Sequence, residues 1–135
     1  MNFKATSRFT PRDLVRAQAA IVPRVVAAIT AGCAAVVTEA QAIAPVETGE
    51  FRDSIATESV ELVGNVVTGT VSATAPHAAF VEFGTGIRGA ASLGAGAGPY
   101  STTWPGMAAQ PTLRPAIDTA RPAIRDAFAA EGFAV

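Results

Sequence analysis

Apolar residues recur from Val15 at alternating steps of four and three, through Ala19, Val22, Val26, Ile29, Cys33, Val36, Ala40 and Ile43. A seam of that period predicts one long amphipathic helix over 11–44. Thr10-Pro11-Arg12-Asp13 supplies its start: Thr10 can cap, Pro11 suits the first helical position, and Asp13 favours the positive end of the helix dipole. Pro23 falls inside the seam and predicts a kink or break near 19–23. Pro45 ends the helix by disfavouring a helical residue before it. At about 1.5 Å per residue this helix would reach about 50 Å, more than a compact domain of this size can cover. It must bend back, project, or find a neighbour.

The pattern then changes. Residues 54–63 and 66–73 are rich in Val and Thr, with Gly64-Asn65 between them as a two-residue turn, which predicts a β-hairpin. The Ala78 to Phe83 segment reads as a short helix or a third strand, so the sheet region extends over 54–83, and Gly84 ends it either way. Residues 84–106 carry seven glycines, Pro99 and Pro105 and show no period, which predicts a long flexible loop. Leu113, Ile117, Ala120, Ile124 and Phe128 then line one face of a helix over 112–130, with Pro115 in its first turn and a bend expected at Pro122. The fold class is α+β in a single domain: a kinked N-terminal helix, a small antiparallel sheet, and a C-terminal helix packed on that sheet.

Composition sharpens this picture. At 135 residues the chain is one domain's worth, and half of it is hydrophobic, but much of that half is Ala, which buries little area. A thin core is expected, with part of the apolar surface completed by partners. A net charge of −1 argues against a dedicated nucleic-acid binder, which would present a basic face. One cysteine excludes an intramolecular disulfide and suits a reducing cytoplasm. The first ten residues carry charge with no apolar stretch directly behind them, so no signal peptide is expected. The uncharged apolar run over 25–38 falls short of a membrane span and reads as a buried helix, so no membrane partner is expected.

Candidate chemistry is sparse. Gly84-Thr85-Gly86-Ile87-Arg88-Gly89 has the spacing of a dinucleotide loop, but the Gly-broken stretch behind it is not expected to form the helix that would receive a pyrophosphate. A nucleophile elbow at residues 90–94 would need a later His, and the single His, His77, lies upstream. One His and one Cys cannot build a four-ligand zinc site, and a lone lysine, Lys4, leaves no P-loop. No catalytic residue, cofactor or metal ligand is assigned. Glu47, Glu50 and Asp53 surround Thr48-Gly49 with Arg52 among them, as a solvated cap at a helix start. Glu82, between Val81 and Phe83, is either exposed on the far side of its element or buried against Arg52 or Arg114. Trp104, beside Pro105, is either an interface anchor or a lid over the thin core.

Three motifs remain: Ala44-Pro45-Val46-Glu47-Thr48-Gly49, continuing through Phe51 and Arg52 to Ser54-Ile55; Phe80-Val81-Glu82-Phe83-Gly84-Thr85; and Gln110-Pro111-Thr112-Leu113-Arg114-Pro115-Ala116. In this order and spacing they resemble the "gene product ten" family of neck, or tail-completion, proteins of lambdoid long-tailed phages. Thr112 stands where an aromatic is common in that family, and the glycine-rich segment between the second and third motifs is unusually long. The first helix is poor in basic residues, which counts against DNA contact there.

The resemblance implies a non-enzymatic subunit of a ring, sixfold, between the head-closure proteins and the tail terminator or tail tube, with DNA passing through its lumen unread. It implies a virion location at the head–tail junction. Within that class the alternative is a tail terminator capping the tube; outside it, a small helical regulator or toxin. Gly49 and Gly84 are expected at positive φ where the chain reverses, and Pro111 and Pro115 at the start of the last helix. Phe51, Phe80 and Phe83 are expected to fill the core. Val22, Val26, Ile29, Val36 and Trp104 are the interface candidates.

Overall fold

The computed structural model describes residues 11–93 and 103–134. In order, its elements are α1 (Pro11–Ile43), α2 (Glu50–Asp53), β1 (Ile55–Val63), β2 (Val66–Ala73), α3 (Ala78–Phe83), α4 (Gly86–Leu93) and α5 (Leu113–Ala130). The architecture is α+β. Strands β1 and β2 form a two-stranded antiparallel sheet in which Val63 faces Val66 across Gly64-Asn65 and Ile55 faces Ala73. Gly64 has φ +61° and takes the first central position of the turn, where the hairpin's twist demands a residue without a Cβ. The register slips once, between Thr57 and Ser59, leaving Glu58 as an extra residue in β1.

The core is small and largely built of alanine. Ala28, Gly32, Val36, Ala40 and Ala44 are buried at steps of four, with Cys33 beside them. This ridge packs against Ala116 and Ala120 of α5, and Phe51, Ile55 and Ala75 close its lower end. Small side chains let the helices approach closely: a Cβ on Gly32 would lie 3.4 Å from Ile124. The hairpin lies on another side of α1. At Gly69 its backbone comes so near that a Cβ would stand 2.4 Å from Cys33 Sγ and 2.7 Å from Ile29 Cγ2. Glycine is required there by close approach, not by φ.

The far end of α5 is latched. The Phe133 N–H donates to the Phe128 carbonyl at 3.0 Å and the Gly132 N–H to that of Ala129 at 2.9 Å, with Gly132 at φ +80° and the two Phe rings 5.9 Å apart. This is a Schellman cap with its apolar contact. Arg24 of α1 completes it, donating to the Glu131 carbonyl and lying 4.9 Å from the Phe133 ring centroid.

Several expectations need correcting. Of the two alternatives at Pro23, kink or break, the break is not realised, since helix α1 runs through it; a proline removes one ladder bond, and the turns on either side hold the helix together. The sheet ends at Ala73, and Ala78–Phe83 is helical. The expected loop over 84–106 begins with α4, while 94–102 and the capping role assigned to Thr10 lie outside the described residues. The main partner of α5 is α1, not the sheet: the Ala-lined stripes of the two helices pack directly on each other.

Phe80 and Phe83 are 51 % and 37 % exposed, and only Phe51, at 4 %, is core. In the short helix α3 these two residues share one face, while Ala78 and Val81 on the other pack against the core. Val36 is buried within its own chain and so unavailable as an interface residue; Val15 and Ile43, both expected in the apolar seam, are exposed.

Candidate functional site

The three sequence motifs converge. The first forms the reversal after α1: the Ala44 N–H donates to the Ala40 carbonyl at 2.9 Å, Pro45 leads the chain out, and Gly49 turns it at φ +84° into α2. The Glu50 N–H reaches Thr48 Oγ1 at 3.4 Å, a weak form of the expected cap. Phe51 is buried by this turn, its ring 6.5 Å from that of His77 at the start of α3. Arg52 pairs with its neighbour Asp53 at 2.8 Å, both well exposed.

The second and third motifs are stitched together by hydrogen bonds. Glu82 Oε2 accepts from the Thr112 N–H at 2.7 Å and from the Leu113 N–H at 3.2 Å. Neither reading of Glu82 from the sequence is correct: its carboxylate is the N-terminal cap of α5, delivered from another helix. Thr112 does not cap for itself; its hydroxyl is turned back to donate to the Gln110 carbonyl at 3.1 Å. The carboxylate satisfies two otherwise orphaned donors and faces the positive end of α5. One residue away, the Gln110 N–H donates to the Val81 carbonyl at 2.8 Å. Pro111 and Arg114 are exposed, Leu113 packs on the core, and Pro115 sits in the first turn of α5.

Beside this stitch the chain is clasped. Thr85 and Met107 exchange backbone bonds at 2.8 and 3.1 Å, while the Ile87 and Arg88 N–H groups donate to the Trp104 and Pro105 carbonyls, both at 3.1 Å. Gly84 and Gly106 lie within this contact at φ +72° and +64°, and a Cβ on Gly106 would fall 1.9 Å from the Thr85 carbonyl oxygen. The expectation that no helix follows the Gly84 to Gly89 spacing is overturned by α4. The dinucleotide reading fails for a different reason: α3, a helix, precedes the loop, and carbonyls of this chain occupy the first N–H groups of α4.

Around the convergence lies an open cleft of about 380 Å³, lined by Pro45, Glu47, Phe51, His77, Val81 and Gln110 among others. Its carboxylates are exposed, and among the described residues no group of three or more His, Cys, Asp or Glu side chains is placed to hold a metal. Burial pushes the Cys33 thiol above its ordinary value, which keeps it protonated and unreactive at neutral pH. Trp104 is 56 % exposed and is not a lid on the core.

Much apolar surface lies outside the core. Leu14, Val15 and Ile21 of α1 are exposed, and Leu14 and Ile21 border, with Leu62 and Val67 of the hairpin, a groove of about 470 Å³ that includes Val22. Val26 and Ile29 are half-buried. The most apolar 18 residues of α1 reach a mean hydropathy of 2.0, so by length and composition the helix passes as a membrane span, contrary to the expectation from its uncharged run. The same helix carries the core ridge that packs against α5.

A small α+β unit stitched by its motifs, with apolar area left outside its core, has the make-up of an assembly subunit. A family model described as "Bacteriophage HK97-gp10, putative tail-component" matches residues 11–84, more than half the chain. The chain belongs to this family of bacteriophage tail components. No curated protein and no solved structure matches it.

Proposed function

We propose that the chain is a ring-forming subunit of the head–tail junction, joining head-closure proteins to the tail terminator or tail tube around a channel for DNA. The observation that carries this reading is the first half of α1. No residue from 11 to 27 is buried, yet Leu14, Val15 and Ile21 are 61 %, 67 % and 44 % exposed along it. A monomer has no use for that stripe beside the apolar hairpin tip; a ring covers it with a neighbouring copy in a head-to-tail contact that closes by rotation. Val22, Val26 and Trp104 remain interface candidates, Val22 within the groove itself. A net charge of −1 suits a lumen through which DNA slides without being gripped. Neither a membrane nor a cofactor has a part in this role.

The test is Val15→Glu and Ile21→Glu, two exposed positions where the fold should survive. The purified parent should form rings in negative stain and the variants should not, while mutant lysates accumulate unjoined heads and tails. Absence of the protein from purified virions, or normal joining by both variants, would overturn the proposal.

A further inference from the structure

The sheet is narrower than the helical layer beneath it. Packed helices stand about 8–10 Å apart and paired strands about 4.7–4.9 Å, so two adjacent helices can carry about four strands. Here α1 and α5 lie side by side, but both strands rest on α1. The space beside β2, over α5, is a cleft of about 410 Å³ with Gly69 and Val71 on one wall, Ile117 and Ile124 on the other, and Gly32 and Cys33 in its floor. Ile117 is left 48 % exposed.

Among the described residues the backbone facing this cleft is a strand edge without a partner. A two-residue turn makes Val63 and Val66 the hydrogen-bonded pair that closes the hairpin; the alternation then turns the N–H and C=O of Val67 and Gly69 away from β1. Among the described residues no backbone group outside β1 bonds to β2. The two edges also differ in chemistry. The β1 edge is guarded by the bulge at Glu58 and by Glu61, whereas β2 has no charge, no proline and no bulge, and no charged residue lines the cleft.

We propose that the outer edge of β2 accepts an extended, uncharged, alternately apolar strand of another protein, which widens the sheet over α5. A second copy of this chain does not fit. Antiparallel pairing of two β2 edges about a twofold axis through the sheet would bring the second α1 onto the side that α5 already occupies. The occupant is therefore a strand with one face bare. The cleft shares no lining residue with the α1 groove, although Val67 of the same edge also borders that groove, and the inference stands whether or not the ring does.

A photo-crosslinking benzoylphenylalanine at Thr70, an exposed residue lining the cleft, would be incorporated in cells producing phage, irradiated, and the joined peptide sequenced. The expected product is an uncharged extended segment of a different phage protein. Val67→Pro removes one outward N–H while sparing the β1 ladder, and Thr68→Lys adds a charge to the edge. Each should abolish the crosslink while leaving the melting temperature of the isolated protein unchanged. A crosslink to a second copy, to a charged or helical segment, or to nothing would overturn the proposal. So would a crosslink that persists in whichever of the two variants melts like the parent.

Discussion

Removing the Glu82 carboxylate tests whether one side chain holds the second and third motifs together. In Glu82→Ala the Thr112 N–H loses its acceptor inside a residue that is 1 % exposed, so water cannot replace the lost bond. An unsatisfied buried donor costs about 1–3 kcal/mol. The longer bond to the half-buried Leu113 is partly recovered by solvent, and with the lost dipole interaction it adds about 0.5–1 kcal/mol. The sum is about 1.5–4 kcal/mol. For a domain of this length that lowers Tm by roughly 5–14 °C.

Glu82→Gln keeps an acceptor but no charge, and should lose about half as much. Urea unfolding followed by far-UV circular dichroism measures both, with an unchanged m-value showing that only stability has moved. Glu47→Ala, which removes an exposed carboxylate from the nearby reversal, serves as control. If Glu82→Ala unfolds within about 0.3 kcal/mol of the parent while the control does the same, the carboxylate does not support α5 and the account of the motifs is wrong.

Other substitutions examine the remaining packing. Phe83→Ala, which a core position would make worth about 3–5 kcal/mol, should cost about 1–2 kcal/mol by urea titration, because the residue is 37 % exposed. Gly69→Ala should cost about 1–3 kcal/mol by forcing β2 off α1; combined with Cys33→Ala it should cost less than the sum, since one of the two colliding atoms is gone. As pH rises past 9.0, the ordinary value of the thiol, the unfolded chain ionises at Cys33 before the folded one, so stability falls there. Urea midpoints in Cys33→Ala should lack that alkaline loss. Arg24→Ala should loosen the end of α5 by about 1 kcal/mol, read as faster amide exchange at Gly132 and Phe133.

What the sequence disclosed was mainly local. The helix starts and stops, the hairpin and its turn, and the reversal at Gly49 follow from residues within a few positions of one another, so period and turn chemistry suffice. Contacts across the chain were not legible. Phe80 and Phe83 look like core because they are the largest residues nearby, yet α3 is too short for their face and that of Val81 both to be covered. Glu82 meets Thr112 across 30 positions, and nothing at either place names the other. The one clue was negative: Thr112 begins a helix without a following acid to complete a capping box. In α4, glycine content suggested a loop, and the Trp104 and Pro105 carbonyls that support its first turn lie well downstream.

The clasp between 84–88 and 104–110 also makes the domain indifferent to what lies between. Two glycines and a pair of reciprocal bonds fix where the chain leaves and where it returns, so the span from exit to re-entry is constant however long the excursion. Doubling the number of residues in between costs only about 0.6 kcal/mol of closure entropy. That makes the excursion a natural insertion port: an epitope, a fluorescent domain or a natural extension can be spliced there without moving the core, and related chains are free to differ most at this place.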